Sequence, residues 1–228
     1  METLGLARSL IDDLREQITV GKFAPGEKIN EIKIASDLGI SRSPLREALR
    51  VLENECLVVN IPRKGSFVTE IWLEDLNEIY QMREMIECYA IDLLKEKKIR
   101  DLPEAALCAD EAAGFKIPSE TDSAKKKLGY ITGLAEYHLK LVEFTGNKRL
   151  SQLYRTIHSN INRYVFFNAF MQGAAEHRID EHYQILDNIK QGRYGKAKAV
   201  VQVHIRLAAE QLRERITMQE PYQAQSVR

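Results

Sequence analysis

Prolines and glycines are spread unevenly along this chain, and their distribution limits the fold more than any other feature. The first 70 residues hold Pro25, Pro44 and Pro62 together with Gly21, Gly26, Gly39 and Gly65. Each can end or turn an element, so this stretch must be assembled from short pieces joined tightly. After Trp72 the breakers thin out, falling mainly around Pro103, residues 114–118, Gly146, Gly173 and residues 192–195. Between them apolar residues recur near a period of 3.6, the pattern of a helical bundle. The expected division is therefore a turn-rich domain over 1–71, an all-helical domain over 72–218, and a polar, flexible tail over 219–228. No internal repeat or low-complexity tract is present, and the charge run at 95–100 reads as a solvated helix end.

Within the first part, Leu6, Leu10, Leu14 and Ile18 repeat at helical spacing, and Gly21 suits the stop. Residues 22–26 form a turn. Asn30 can cap a second helix through Ala35 and Leu38, ending at Gly39. A third helix starts in Ser41-Arg42-Ser43-Pro44. A serine hydroxyl can accept from a first-turn N–H, and proline is tolerated there because those N–H groups lack helical partners. Leu45, Ala48, Leu49 and Leu52 form its apolar stripe. Residues 57–59 and 66–68 read as short strands flanking Ile61-Pro62-Arg63-Lys64-Gly65. Helix, helix, short turn, helix and hairpin together describe a winged helix-turn-helix.

Arg42, Arg46 and Arg50 fall at i, i+4 and i+8, on one face of the third helix and opposite its apolar stripe. A guanidinium suits bidentate contact with guanine O6/N7 or with phosphate. Arg63 and Lys64 occupy the hairpin tip, where a wing reaches the backbone or the minor groove. Bulk charge adds nothing here. Lys+Arg and Asp+Glu both total 33, and within residues 1–70 they number 10 against 11, so a nucleic-acid surface must be a local patch. The bland alternative is a solvated helix face with an Arg–Glu pair through Glu47.

The run Gly21-Lys22-Phe23-x-Pro25-Gly26, then Asp37 to Leu49 with its core Ser41-Arg42-Ser43-Pro44-Leu45-Arg46-Glu47-Ala48-Leu49, then Gly65-Ser66-Phe67-Val68, closely resembles the N-terminal domain of the GntR family of bacterial transcriptional regulators. The resemblance spans essentially all of residues 5–70. It implies that Arg42 and Arg46 are the principal operator contacts, that Ser41, Ser43 and Pro44 open the recognition helix, and that Gly65 is the wing glycine. Some members place an Arg at the start of the second helix. This chain has Ile32 there, so that contact does not carry over.

In the helical part, periodicity selects three of the five histidines. Leu128, Ile131, Leu134, His138, Leu141 and Val142 share one stripe; Ile179, His182, Leu186 and Ile189 a second; Val201, His204, Ala208 and Leu212 a third. His177 falls off its stripe and His158 is ambiguous. Three inward imidazoles can hold a divalent cation with a position left open, or can be three independently hydrogen-bonded core residues. Arg83 belongs to the inward side of the helix carrying Leu76, Tyr80, Ile86 and Ala90. A buried cation needs a partner, either Glu87 one turn on or a ligand carboxylate.

Residues 73–215 resemble the FCD effector domain of the FadR-type branch of that family. Tyr80-x-x-Arg83-x-x-x-Glu87, His138 followed by Gly146-Asn147, and Glu181-His182 followed by His204 carry the likeness. In metal-containing members an Asp four residues before the first His joins three histidines. Those histidines fall on His138, His182 and His204, whereas the Asp position is Leu134, and a leucine cannot ligate. The resemblance implies either a divalent ion of the Zn or Ni type on three histidines, or a metal-free effector pocket lined by them and Arg83.

The expectation is a cytoplasmic homodimeric regulator, a repressor, that binds a palindromic double-stranded operator and is controlled by a small organic acid. The rival is a metal-dependent helical enzyme using the three histidines, though the chain has no H-E-x-x-H or nucleophile motif. A bare dimerisation module would explain the bundle but not its inward polar groups. No apolar run approaches the roughly 20 residues that cross a bilayer, and the charged N-terminus is not a secretory signal. Cys56, Cys88 and Cys108 are odd in number and unpaired in spacing, which fits a reducing compartment.

Overall fold

Leu10, Leu14 and Ile18 place a buried stripe along α1 (Glu2–Thr19), the first element of a computed structural model describing residues 2–114, 124–171 and 179–223. Side chains are described over 8–113, 133, 135–166 and 179–217. The chain divides into two compact units, Met1–Ile71 and Trp72–Arg228.

In the first unit Gly21 takes φ +69°, the left-handed conformation that ends a helix cheaply only for glycine. Asn30 caps α2 (Glu31–Asp37), its Oδ1 accepting from the Lys33 N–H at 3.0 Å. Ser41 stands at the N-cap of α3 (Arg42–Asn54) but makes no side-chain cap bond, contrary to the expectation. Pro44 explains the difference: it fills the third helical position, one of the two whose N–H a cap normally engages, and has no N–H. Leu45, Ala48, Leu49 and Leu52 are buried as the stripe requires. Arg15 clamps the far end of α3, donating through Nε and Nη2 to the two oxygens of Glu55 at 2.8 and 2.7 Å.

The hairpin pairs β1 (Val58–Ile61) antiparallel to β2 (Gly65–Val68), with Val58 opposite Val68 and Ile61 opposite Gly65. The first strand lies later than residues 57–59. Leu57 is a fully buried plug beneath α3, its N–H bonded to the Leu52 carbonyl, and the turn contracts to Pro62-Arg63-Lys64 with Arg63 at φ +65°. The segment before α2 runs along β2: the Gly26 and Ile29 N–H groups donate to Val68 and Ser66 carbonyls, and the Val68 N–H to Glu27. The wing is thereby hydrogen-bonded to the start of α2.

The second unit consists, among the described residues, of α4 (Leu73–Glu96), α5 (Pro103–Gly114), α6 (Ala124–Glu143), α7 (Lys148–Met171), α8 (Ile179–Lys190) and α9 (Tyr194–Gln223). Glu74 and Asp75 open α4, where carboxylates complement the helix dipole. This helix is central, packing against α6, α7 and α9, while α5 packs on α6 and α8. The charge run is exposed as expected, except that Lys97 Nζ docks on the Thr145 carbonyl at 2.5 Å. Residues 219–223 continue α9 instead of starting a tail, since polar composition alone does not stop a helix; 224–228 lie outside the described residues. So do residues 115–118, Gly173, His177 and the side chains of Leu6, Leu128, Ile131 and Leu134. No helix among the described residues is long and apolar enough to cross a membrane.

The cap bond makes α2 testable. Asn30→Ala should lower stability by about 0.5–2 kcal/mol in urea denaturation. Asn30→Asp keeps the acceptor and should lose little. Equal losses in both would show that the cap does not support this helix.

Candidate functional site

The start of α2, the outer face of α3 and the hairpin enclose a cleft of about 770 Å³. Arg42, Arg46, Arg50, Arg63, Lys64 and Gly65 all line it, joined by Lys28 from the segment before α2. Ser41, Ser43 and Pro44 shape the entry to α3 and are not part of the lining. Two carboxylates enter this basic cleft. Glu31 Oε2 accepts from Arg42 Nη2 at 3.2 Å and from Arg46 Nε at 2.9 Å. Partial burial opposes the Glu31 charge, but those hydrogen bonds hold its carboxyl below the usual range. Glu53 accepts from the Asn60 N–H at 3.2 Å and ties α3 to β1. The expected partner Glu47 is not the one used. It follows Arg46 directly and points about 100° further round the helix, whereas Glu31 reaches across from α2.

In the second unit, α6, α8 and α9 bring His138, His182 and His204 together, all buried, with one ligand nitrogen from each within 4.8 Å of the others. His138 Nε2 lies 3.1 Å from His182 Nε2. His138 Nδ1 donates to Glu87 at 2.8 Å and His204 Nδ1 to Glu181 at 2.7 Å. Because a carboxylate only accepts, both rings carry hydrogen on Nδ1. Burial, with the nearby Arg83 charge, pushes His138 down to about 3, so its imidazole is neutral. Tyr137 stacks on His182 with ring centroids 4.1 Å apart. His158, on α7, stands outside this group; burial pushes it down to about 4.

Arg83 is buried, and its Nε donates to Glu87 Oε1 at 2.8 Å. Tyr154 OH donates to the same oxygen at 2.8 Å. Burial works against a charged Glu87, yet the guanidinium and the surrounding donors hold its carboxyl well below the usual range. One fully buried carboxylate thus joins α4, α6 and α7.

Known proteins carry the same two parts. The family model described as FCD domain matches residues 78–207, more than half of the chain. The one described as bacterial regulatory proteins, gntR family, matches residues 6–68. This chain belongs to the GntR family. YdhC of Bacillus subtilis (strain 168), an uncharacterized HTH-type transcriptional regulator, is 29% identical over 206 residues, covering 89% of this chain and 88% of that protein. The Nta operon transcriptional regulator of Aminobacter aminovorans is 28% identical over 193 residues, covering 84% and 87%. The solved structure of E. coli McbR/YncC superposes with a TM-score of 0.74 at 20% identity, covering 92% of this chain and 98% of that one, a likeness of fold. The family is one of transcriptional regulators, and it does not favour the helical enzyme.

The FCD domain implies a metal in some members, and the donor set in this chain fits one. Nitrogen donors suit Zn and Ni, and the carboxylate-backed imidazoles of His138 and His204 have the arrangement that orients metal-bound histidines. Two imidazole Nε2 atoms 3.1 Å apart also need either a proton or a shared cation between them. Leu134 belongs to α6, four residues before His138, and leucine carries no ligand atom.

Glu87 pairs with Arg83 as expected; what periodicity missed is Glu31 as a clamp, the further bonds of Glu87 to His138 and Tyr154, and the support from Tyr137 and Glu181. Their partners lie on other elements. The signal within reach was the polarity of Glu87 on an inward helical face.

The hub carries a testable cost. Glu87→Leu leaves Arg83 buried without its counter-charge and should destabilise the protein by about 3–5 kcal/mol in urea denaturation. The double change Arg83→Met/Glu87→Leu should recover most of that. A double variant as unstable as the single would mean that the pair is not the source of the loss.

Proposed function

We propose that this protein is a one-component repressor, working as a homodimer, whose operator affinity is set by a small organic acid bound in the FCD domain. The observation that carries the reading is the cleft that lines the face of α3 and the wing with cations. In it Arg42 and Arg46 would read guanines in the major groove, with Ser41, Ser43 and Pro44 at the first turn. Arg50, Arg63 and Lys64 would contact phosphates, and Gly65, at φ +105°, gives the wing its sharp entry to β2. A single winged helix covers too little DNA for high specificity. Two copies on half-sites about one helical turn apart, hence a palindromic operator, would supply the rest.

On the effector side, His138, His182, His204 and Arg83 form a buried polar group suited to an anion. A divalent cation on the three imidazoles would supply a positive anchor for a carboxylate oxygen. Glu87 holds the His138 tautomer, Tyr137 fixes the His182 ring, and Arg83 offers a second cation. For control, the acid must bind the operator-competent and incompetent states with different affinity.

The reader is tested with duplexes enriched by the protein from a random-sequence pool. Arg42→Ala or Arg46→Ala should each weaken binding by about 1–3 kcal/mol at matched salt and relax the preferred base. Lys64→Ala should weaken all sequences alike and reduce the salt slope by about one. Unchanged binding by both arginine variants would remove α3 from the groove, and a strictly monomeric species in light scattering at micromolar concentration would remove the dimer.

The pocket is tested by metal analysis and native mass spectrometry of freshly purified protein. Chelation should lower Tm, and added dicarboxylate should restore part of it by mass action when the metal is present. Leu134→Asp should tighten metal binding by adding an anionic ligand one turn from His138. If chelation leaves Tm unmoved and Leu134→Asp gains no metal, the three histidines line a metal-free pocket.

A further inference from the structure

Ile32 is 67% exposed, more than any other large apolar side chain among the described residues. Single exposed apolar residues are ordinary on protein surfaces, so exposure alone says little. Its surroundings say more. Ile32 stands in the first turn of α2 and lines the cleft that Lys28, Arg42, Arg46, Arg50, Arg63 and Lys64 make basic. Its helix is anchored in the core by Ala35 and Ile34, and Ile32 takes no part in that cluster. A β-branched residue there adds nothing to helix propensity either.

The neighbouring carboxylate narrows what Ile32 can face. Glu31 holds Arg42 through Nη2 and Arg46 through Nε, which fixes both guanidinium groups in the cleft that Ile32 also lines. Arg46 keeps its two-pronged Nη end for the O6 and N7 atoms of a guanine. A phosphate next to Glu31 would be repelled, so this corner suits base edges better than backbone. The major groove offers one apolar feature at its base edges, the C5-methyl group of thymine.

We infer that Ile32 is a base-reading residue, and that each operator half-site presents a thymine whose methyl packs on it, beside the guanines engaged by Arg42 and Arg46. The inference rests on the cleft being the DNA interface. Ile32 then sets which base is preferred at that position, while the cations set affinity.

The test uses the full-length protein and duplexes that it enriches from a random-sequence pool. Each thymine of the enriched half-site is replaced in turn by deoxyuridine, which removes only the methyl. At one position per half-site this should weaken the parent by about fourfold, the transfer value of one buried carbon group. Ile32→Ala and Ile32→Ser, both at an exposed site, should bind the two duplexes alike and lose the thymine preference there. A deoxyuridine effect that persists undiminished in Ile32→Ala overturns the inference, because another group then reads the methyl. Identical enriched sequences for parent and both variants overturn it as well. If the parent enriches no sequence at all, the DNA-reading function fails first and this inference falls with it.

Discussion

A carboxylate with no exposure to solvent is costly to keep charged, and the helical unit is arranged around one. Glu87 sits on α4 and receives Arg83 from its own helix, His138 from α6 and Tyr154 from α7. Without those donors the group would neutralise or leave the core. The three bonds therefore fix more than Glu87. They hold two neighbouring helices against α4 and set the hydrogen of His138 on Nδ1, so that Nε2 faces His182. Directional bonds of this kind specify one packing where apolar contact alone would tolerate several.

Glu31 is a surface counterpart with a different consequence. It too collects two partners, but Arg42 and Arg46 are half exposed, with side chains 49% and 59% accessible. In high dielectric such pairs contribute little to stability. What Glu31 contributes is order: two long, rotamer-rich side chains are held in one place before anything binds. Ordering them in advance lowers the entropy lost on binding. The same chemistry thus holds a core together at Glu87 and pre-arranges a surface at Glu31, and burial decides which.

Much of this was legible in the sequence, for identifiable reasons. Breaker spacing and the stripe Leu45, Ala48, Leu49 and Leu52 reported the winged helix because its elements are short and locally specified. Asn30 showed its cap because the bond closes within three residues. Periodicity also picked out His138, His182 and His204, since a helix face is a local property. The Arg83–Glu87 pair was in view because it closes within one turn, but periodicity could not show that Glu47 yields to Glu31, or that His138 and Tyr154 also meet Glu87, because these contacts span 11 to 67 residues. The missed strand limits and the absent Ser41 cap have one cause. Turn closure at Pro62-Arg63-Lys64 and the start of α3 at Arg42, which puts Pro44 at the third helical position, are set by backbone geometry that residue type only suggests.

Charge balance in the helical unit connects its fold to its proposed role. Arg83 and Glu87 cancel, and His138 is neutral, so a cation held by the three rings would have no carboxylate among its ligands. A site with the usual aspartate would neutralise half the charge of a divalent cation by itself. With leucine at 134, a cation on the three imidazoles would leave more of that charge for another anion to balance. An organic acid would then gain more from the cation here than at a site that already holds a carboxylate, and the cation more from the acid. Linkage makes that gain reciprocal. On the proposed function, leucine at 134 would thus tie metal and effector affinity together. Such coupling suits a sensor, in which occupancy by the small molecule has to outweigh occupancy by the ion alone.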